Sequence, residues 1–498
     1  MMRTLLAVFC LALGASRAAA QAPAPCTPPR ADEPTPAQVL DRARAAIGSP
    51  GTADSVLHFR GASATLMNYQ SDRSYAPFFS AFDTGETWYD PASGVERTTS
   101  STWFPGSGPI PPRTVLAAPT ASFGARDTAV VPAAMQHGGI RQTRLLNPWA
   151  VLRDWSAAPD VASGGSCTYR DFPRRVLTRR GPFGEQRLYV DPRSGYPVAL
   201  VENEPHYLWG TSRAEYVWSN WAPVGGGVYP LTAFRMVDGE TEISRTVGEL
   251  GMAPRAGAPR LSVPAVPDMT PRHWTEAAEA MPTDTVRAGD AAFLLASRAY
   301  TEGAVLAGDT IYLLDATLGE RRARSDSAWL GRLFPGRHPV AVVVTDLAWP
   351  HVAGVRYWTA HDATIISHRT SEAFLRRVAD RRWTEAPDER ERRRGSSPFR
   401  FRAVDDSASL GGGRVRLYAI NGPSSEGALM AWVPSAGLLW AGDYVQTVSE
   451  RSAYGAEVLA AARRAGIRPA RVAAQHLALT PWAALEQANS PVPPAAGP

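Results

Sequence analysis

No lysine occurs anywhere in these 498 residues, so all 52 basic side chains are arginine. Against 47 acidic residues they leave a formal charge of only +5. The arginines are spread along the chain rather than clustered on one helix or patch, which argues against nucleic acid as a partner. Alanine, glycine and proline are abundant, so the missing lysine reads as biased composition. Long apolar runs are missing too. Beyond residue 20 no stretch is long enough to cross a bilayer as a helix, which excludes a transmembrane span of that kind. Cysteine is scarce, with Cys10, Cys26 and Cys167 the whole complement.

What apolar run there is lies at the start. Met1-Met2-Arg3 is a short positive segment, Leu5 to Leu13 is apolar, and Ala18-Ala19-Ala20 supplies small residues for cleavage before Gln21. This pattern predicts an export signal over residues 1–20 and a periplasmic or secreted protein. Cys10 would leave with the leader. Cys26 and Cys167 then form an even pair in an exported chain. They are either bridged, closing a loop worth about 5 kcal/mol at most in the chain-entropy model, or two free thiols.

A chain of this length exceeds one ordinary core, so two domains are expected. Residues 21–36 are rich in Pro and Ala and read as a disordered tether. Ala37 to Ile47 places Val39, Leu40, Ala43 and Ile47 on one helical face. Strand patterns follow: Val56 to Phe59 and Ala64 to Met67 around Gly61, then Arg187 to Val190 and Tyr196 to Val201 around a turn. Thr232 to Val237 and Glu240 to Ile243 flank Asp238-Gly239, a hairpin signal. Residues 37–251 thus read as a mostly antiparallel β, half-barrel-like domain with a helix near its start. Residues 252–284, with six prolines from Pro254 to Pro282, read as a linker. From 285 to 486 strands and helices alternate: Val340 to Val344 is a continuous β-branched run, and Ser325 to Phe334 and Tyr454 to Ala465 are helical. That order predicts an α/β domain of sheets covered by helices. Residues 487–498 read as a disordered tail.

Several phrases of the second half fall in a familiar order. They are Ile311-Tyr312-Leu313-Leu314-Asp315, Val342-Val343-Val344-Thr345, His351-Val352-Ala353-Gly354-Val355, Leu438 to Asp443, and Gln475-His476. Together they resemble the metallo-β-lactamase superfamily over roughly residues 284 to 485. The resemblance implies an αββα sandwich with a two-metal site. The family loop reads His-x-His-x-Asp-His, whereas this chain has Asp346-Leu347-Ala348-Trp349-Pro350-His351. A later family histidine is matched by Ser424. The three-histidine site is therefore replaced throughout. The other site keeps His351, Asp443 and His476, enough for at most one zinc or iron, with no metal as the other outcome. Pro350 stands where active relatives place a metal-binding aspartate, and Asp346 is the candidate base. His361, Asp362 and His368 read as surface or supporting groups, the run Asp388 to Arg394 as a solvated loop or helix end, and Gly411 to Gly413 as a turn.

In the first half, Leu188 to Pro192, Tyr216 to Trp221 and Tyr229-Pro230 resemble periplasmic lipoprotein-carrier β domains. That resemblance implies an acyl-binding concave face, which Trp88, Trp103, Trp209, Trp218 and Trp221 would line. The same tryptophans equally suit an ordinary β core. Two functions follow. One is an exported hydrolase of the metallo-β-lactamase fold with lost or single-metal activity. The other is a non-catalytic envelope binding protein that takes a small-molecule or lipid ligand on its N-terminal domain.

Overall fold

The structure is a computed structural model that describes residues 26–48, 54–66, 80–104, 108–126, 129–273 and 275–490. The leader, the first part of the tether, Met67 and the tail from residue 491 lie outside these residues.

Helix α1 spans Pro36–Ile47. Thr35 and Gln38 exchange the two hydrogen bonds of a capping box, and Pro36 occupies the first turn, where its missing N–H costs nothing. Its apolar face, Val39, Leu40, Ala43 and Ile47, is buried. Two further helices were not expected: α2, His137–Leu145, and α3, Pro148–Ser156. Asn147 caps α3 by accepting from the N–H groups of Trp149 and Ala150.

Among the described residues, thirteen antiparallel strands between Ser55 and Pro254 form one sheet. The first of them, Ser55–Leu66, runs through Gly61 with a bulge rather than stopping there, and pairs with the last, Glu240–Pro254. Helices α1 and α3 bury Ile47, Trp149 and Trp155 against Leu57, Leu188, Tyr216 and Trp218 of the sheet. The chain's own helices thus cover this part of the sheet. The five tryptophans part company. Trp218 is in this core, Trp221 packs on Tyr196, and Trp88 stacks on His58. Trp103 is 48% exposed beside Phe82, and Trp209 leaves the sheet to pack on Phe374.

Cys26 and Cys167 are bridged, and Thr27 pairs with Ser166 through both backbone bonds. These contacts fasten the segment before α1 to the edge strand Ala162–Tyr169. The proline-rich stretch is an ordered strap. Val263, Val266 and Met269 pack against Leu116 and Phe123, and the Met269 N–H donates to the Thr120 carbonyl.

The second half holds a seven-stranded sheet between Asp284 and Val404 and a six-stranded sheet between Ser407 and Pro481. The two share a core: Leu314, Val343 and Ile366 of the first meet Leu417, Ala431 and Trp440 of the second. Helices Glu320–Leu333 and Glu372–Asp380 cover the first sheet, and Ala453–Arg464 covers the second. The run after Pro387 is less solvated than its composition suggests. Asp388 caps the short helix Glu389–Arg392, and both Asp388 and Arg390 are buried. The two halves also share a core, because Leu208, Trp209 and Val237 pack among the apolar residues of the second half.

His137 is buried at the start of α2, 2.7 Å from the Ser122 hydroxyl. Burial, and then the nearby Arg141 charge, push its pKa down to about 4. The unfolded value is about 6.5, so the unfolded chain binds the extra proton between the two. Its contribution to stability is therefore present above about pH 6.5 and is lost as pH falls toward 4. In urea titrations, the stability advantage of the native chain over His137→Asn should shrink between pH 7 and pH 5. An advantage independent of pH would contradict this assignment.

Candidate metal centre

Strands of the second half deliver the site residues at their ends. The strand Val340–Val343 is buried, and the chain after it turns through Thr345 and Asp346 to the one-turn helix Trp349–Val352, which carries His351. The strand Leu438–Trp440 leads through Gly442 to Asp443, and the strand Arg471–Ala474 leads through Gln475 to His476. Gly442 has φ +59°, and a Cβ there would lie 2.3 Å from the Thr345 hydroxyl oxygen, so this turn requires glycine on two counts.

His351, Asp443 and His476 converge, with one ligand atom from each lying within 4.8 Å of the others. His476 Nε2 is 3.3 Å from Asp443 Oδ1, and Gln446 Nε2 donates to the same oxygen over 3.0 Å. His351 is buried, while the side chains of His476 and Asp443 are 32% and 22% exposed, so the cluster is open on one side. The Tyr300 ring packs 4.8 Å from His476 and 5.6 Å from His351, centroid to centroid.

Asp346 stands behind His351. Its Oδ1 lies 2.7 Å from His351 Nδ1 and accepts from the Ala348 N–H at 2.9 Å. Its Oδ2 accepts from Gln475 Nε2 at 3.1 Å. Burial alone would raise this carboxyl, but His351 and the surrounding donors hold it below the usual range. Burial likewise opposes charge on His351, but Asp346 and then Asp443 hold its pKa up at about 9. One layer deeper, Asp315 accepts from the Thr345 N–H, the Thr345 hydroxyl, Trp440 Nε1 and Gln475 Nε2. Burial, and then the Asp346 charge, push it up to about 6. The result is a hydrogen-bonded chain from Asp315 through Gln475 and Asp346 to His351.

The sequence signals thus meet in space at His351, Asp443 and His476, with Asp346 bound to the first. Gln475, Thr345, Trp440 and Tyr300 were not singled out as site residues. Gln475 and Thr345 adjoin site residues in sequence, and Trp440 lies three before Asp443. Tyr300 carries no such signal. The backbone N–H of Ser424 donates to Glu457, as does the Ser425 hydroxyl. His361 and Asp362 are exposed.

No family model matches the chain, and no curated protein matches it. Among solved structures it is similar to the DIM-1 metallo-β-lactamase, at 12% identity over 42% of this chain and 96% of that one, with a TM-score of 0.33. A metallo-β-lactamase from Erythrobacter litoralis shows 14% identity over 41% and 94%, with a TM-score of 0.33. The mono-zinc form of FIM-1 from Pseudomonas aeruginosa shows 11% identity over 41% and 92%, with a TM-score of 0.32.

Proposed function

We propose that the second half is a metallo-β-lactamase-fold domain of an exported protein, with a site for a single zinc or iron at His351, Asp443 and His476. The observation that carries this reading is the convergence of those three side chains within 4.8 Å, with the buried histidine already oriented by a carboxylate. Two imidazoles and a carboxylate are a donor set for zinc or iron, with one position left for water or substrate. Asp346 engages Nδ1 of His351 and so directs Nε2 to the ion, as carboxylates behind metal-binding histidines do. This makes Asp346 a positioning group rather than a base, since both its oxygens already accept hydrogen bonds. A second ion lacks donors, because Ala348 and Pro350 offer none and the Ser424 loop is tied to Glu457. A bound ion would supply Lewis acidity that makes water nucleophilic near neutral pH, and with it hydrolysis of a small ester, amide or phosphoester. Export is supported by the leader pattern and by the Cys26–Cys167 bridge, which persists in oxidising compartments.

The test is the metal content of the purified mature protein by elemental mass spectrometry. About one zinc or iron per chain is expected, falling to background in a His351→Ala, His476→Ala double variant. No metal in either protein after zinc is supplied would end the metal reading. Edman degradation of protein from the native host should begin at Gln21 if the leader is cleaved.

A further inference from the structure

Tyr300 belongs to two spaces at once. Its ring packs on both His476 and His351, whose own rings lie 5.8 Å apart, so the three close a triangle at the candidate metal centre. It also joins Leu318, Trp349 and Pro350 in lining a cleft of about 760 Å³ between the two halves. Clefts of this size take small molecules. His351, Asp443 and His476 do not line the cleft, but Pro350 precedes His351, so the two spaces adjoin at these residues.

The backbone holds Tyr300 in place. Its N–H donates to the Ser297 hydroxyl, its carbonyl accepts from Ser297 and Arg322, and the next N–H, of Thr301, donates to the Gln475 carbonyl. The residue is 7% exposed. Its hydroxyl nevertheless makes no hydrogen bond to any of the described residues. Buried tyrosines usually give that hydroxyl a partner, and one without a partner calls for a reason. Burial, and then the charges of Asp443 and Asp346, push the phenol above its ordinary range, which sets the hydroxyl within reach of the site's own carboxylates. A phenol that holds its proton and has no acceptor in the fold can donate to a ligand.

We propose that the Tyr300 hydroxyl donates a hydrogen bond to an oxygen of the substrate's reacting group, carbonyl or phosphoryl; this rests on the single-metal reading of His351, Asp443 and His476. Such a donor strengthens as negative charge develops on that oxygen. The experiment compares the zinc-loaded native chain with Tyr300→Phe, which keeps the ring beside both histidines and removes one oxygen. The probe is phenylphosphonate, whose oxygens resemble those of a hydrolytic transition state and which offers no bond to hydrolyse. By isothermal titration calorimetry it should bind the variant at least about tenfold more weakly than the native chain. Zinc content should stay at about one per chain in both. The urea midpoint of the variant should be unchanged or higher, because the hydroxyl has no partner in the fold to lose. Equal affinity in the two chains, or no binding to the zinc-loaded native chain up to about 10 mM, would overturn the proposal and leave the metal centre standing. A lower urea midpoint in the variant would also overturn it, by showing the hydroxyl bonded within the fold. A native chain that takes up no zinc would end the metal reading itself, and the proposal with it.

Discussion

Replacing Arg322 by alanine is expected to destabilise the chain by about 3–5 kcal/mol. The guanidinium is 1% exposed, inside the helix Glu320–Leu333. Its Nε donates to both oxygens of Asp326, at 2.9 and 2.8 Å, and its two Nη atoms donate to the carbonyls of Tyr300 and Leu295. Glu302 completes the cluster, accepting from the Thr317 N–H and hydroxyl. Burial, and then the Asp326 charge, push the Glu302 carboxyl well above its ordinary range. Removing Arg322 strands Asp326 as a buried anion and takes one donor from the Leu295 carbonyl and one of three from the Tyr300 carbonyl, which keeps the Ser297 N–H and hydroxyl. A double change, Arg322→Met with Asp326→Leu, removes the stranded charge and should recover most of the loss, since buried pairs are costly to break and cheap to replace. Urea denaturation of the three chains measures both effects. A single variant within about 1 kcal/mol of the native chain would show that water reaches the cluster. Because Arg322 holds the Tyr300 carbonyl, and the Tyr300 ring packs on His476 and His351, metal content should fall with stability.

That cluster also marks where sequence stops being informative. The helix containing Arg322 was legible, although it begins at Glu320 rather than Ser325. Its buried ion pair was not, because periodicity distinguishes apolar from polar and cannot tell a buried pair from an exposed one. The same blindness hid Asp388 and Arg390 in an arginine-rich run. Val340–Val343 was legible because a strand buried on both faces must be apolar throughout. Helix α2 was hidden by Gly138 and Gly139, whose low helix propensity is overridden by packing. Helix α3 was not hidden, for Asn147-Pro148 is a start signal that the dominant strand pattern obscured. At the site, His351, Asp443 and His476 could be read because the phrases that carry them resemble, in the same order, those of the metallo-β-lactamase superfamily. Gln475 could not, since its role depends on Asp315 and Asp346, both more than a hundred residues away in sequence.

Metal affinity should fall about 10–100-fold on Asp346→Asn, the change that removes the charge behind His351 while keeping an oxygen in place. The reasoning begins at the imidazole. His351 can offer one nitrogen to an ion, and the other must be fixed or the ring will turn. Asp346 fixes it at 2.7 Å, and is itself held by the Ala348 N–H and by Gln475 Nε2. An asparagine can still accept from Nδ1, so the ring should keep its orientation while the imidazole becomes a weaker donor. Asp346→Ala removes both orientation and charge and should cost more. It also leaves Gln475 with Asp315 alone and the Ala348 N–H without its acceptor, so some stability should go with it. The order native, Asn, Ala in zinc affinity, measured by competition with a chromophoric chelator, separates a positioning group from a ligand. If Asp346 bound the ion directly, asparagine would be nearly as damaging as alanine. If it touched nothing that matters to the ion, all three chains would bind alike. Gln475→Leu supplies the remaining comparison. It keeps Asp346 on His351 but removes the donor shared by two buried carboxylates, so its effect on affinity should be smaller than that of Asp346→Asn and its effect on stability larger.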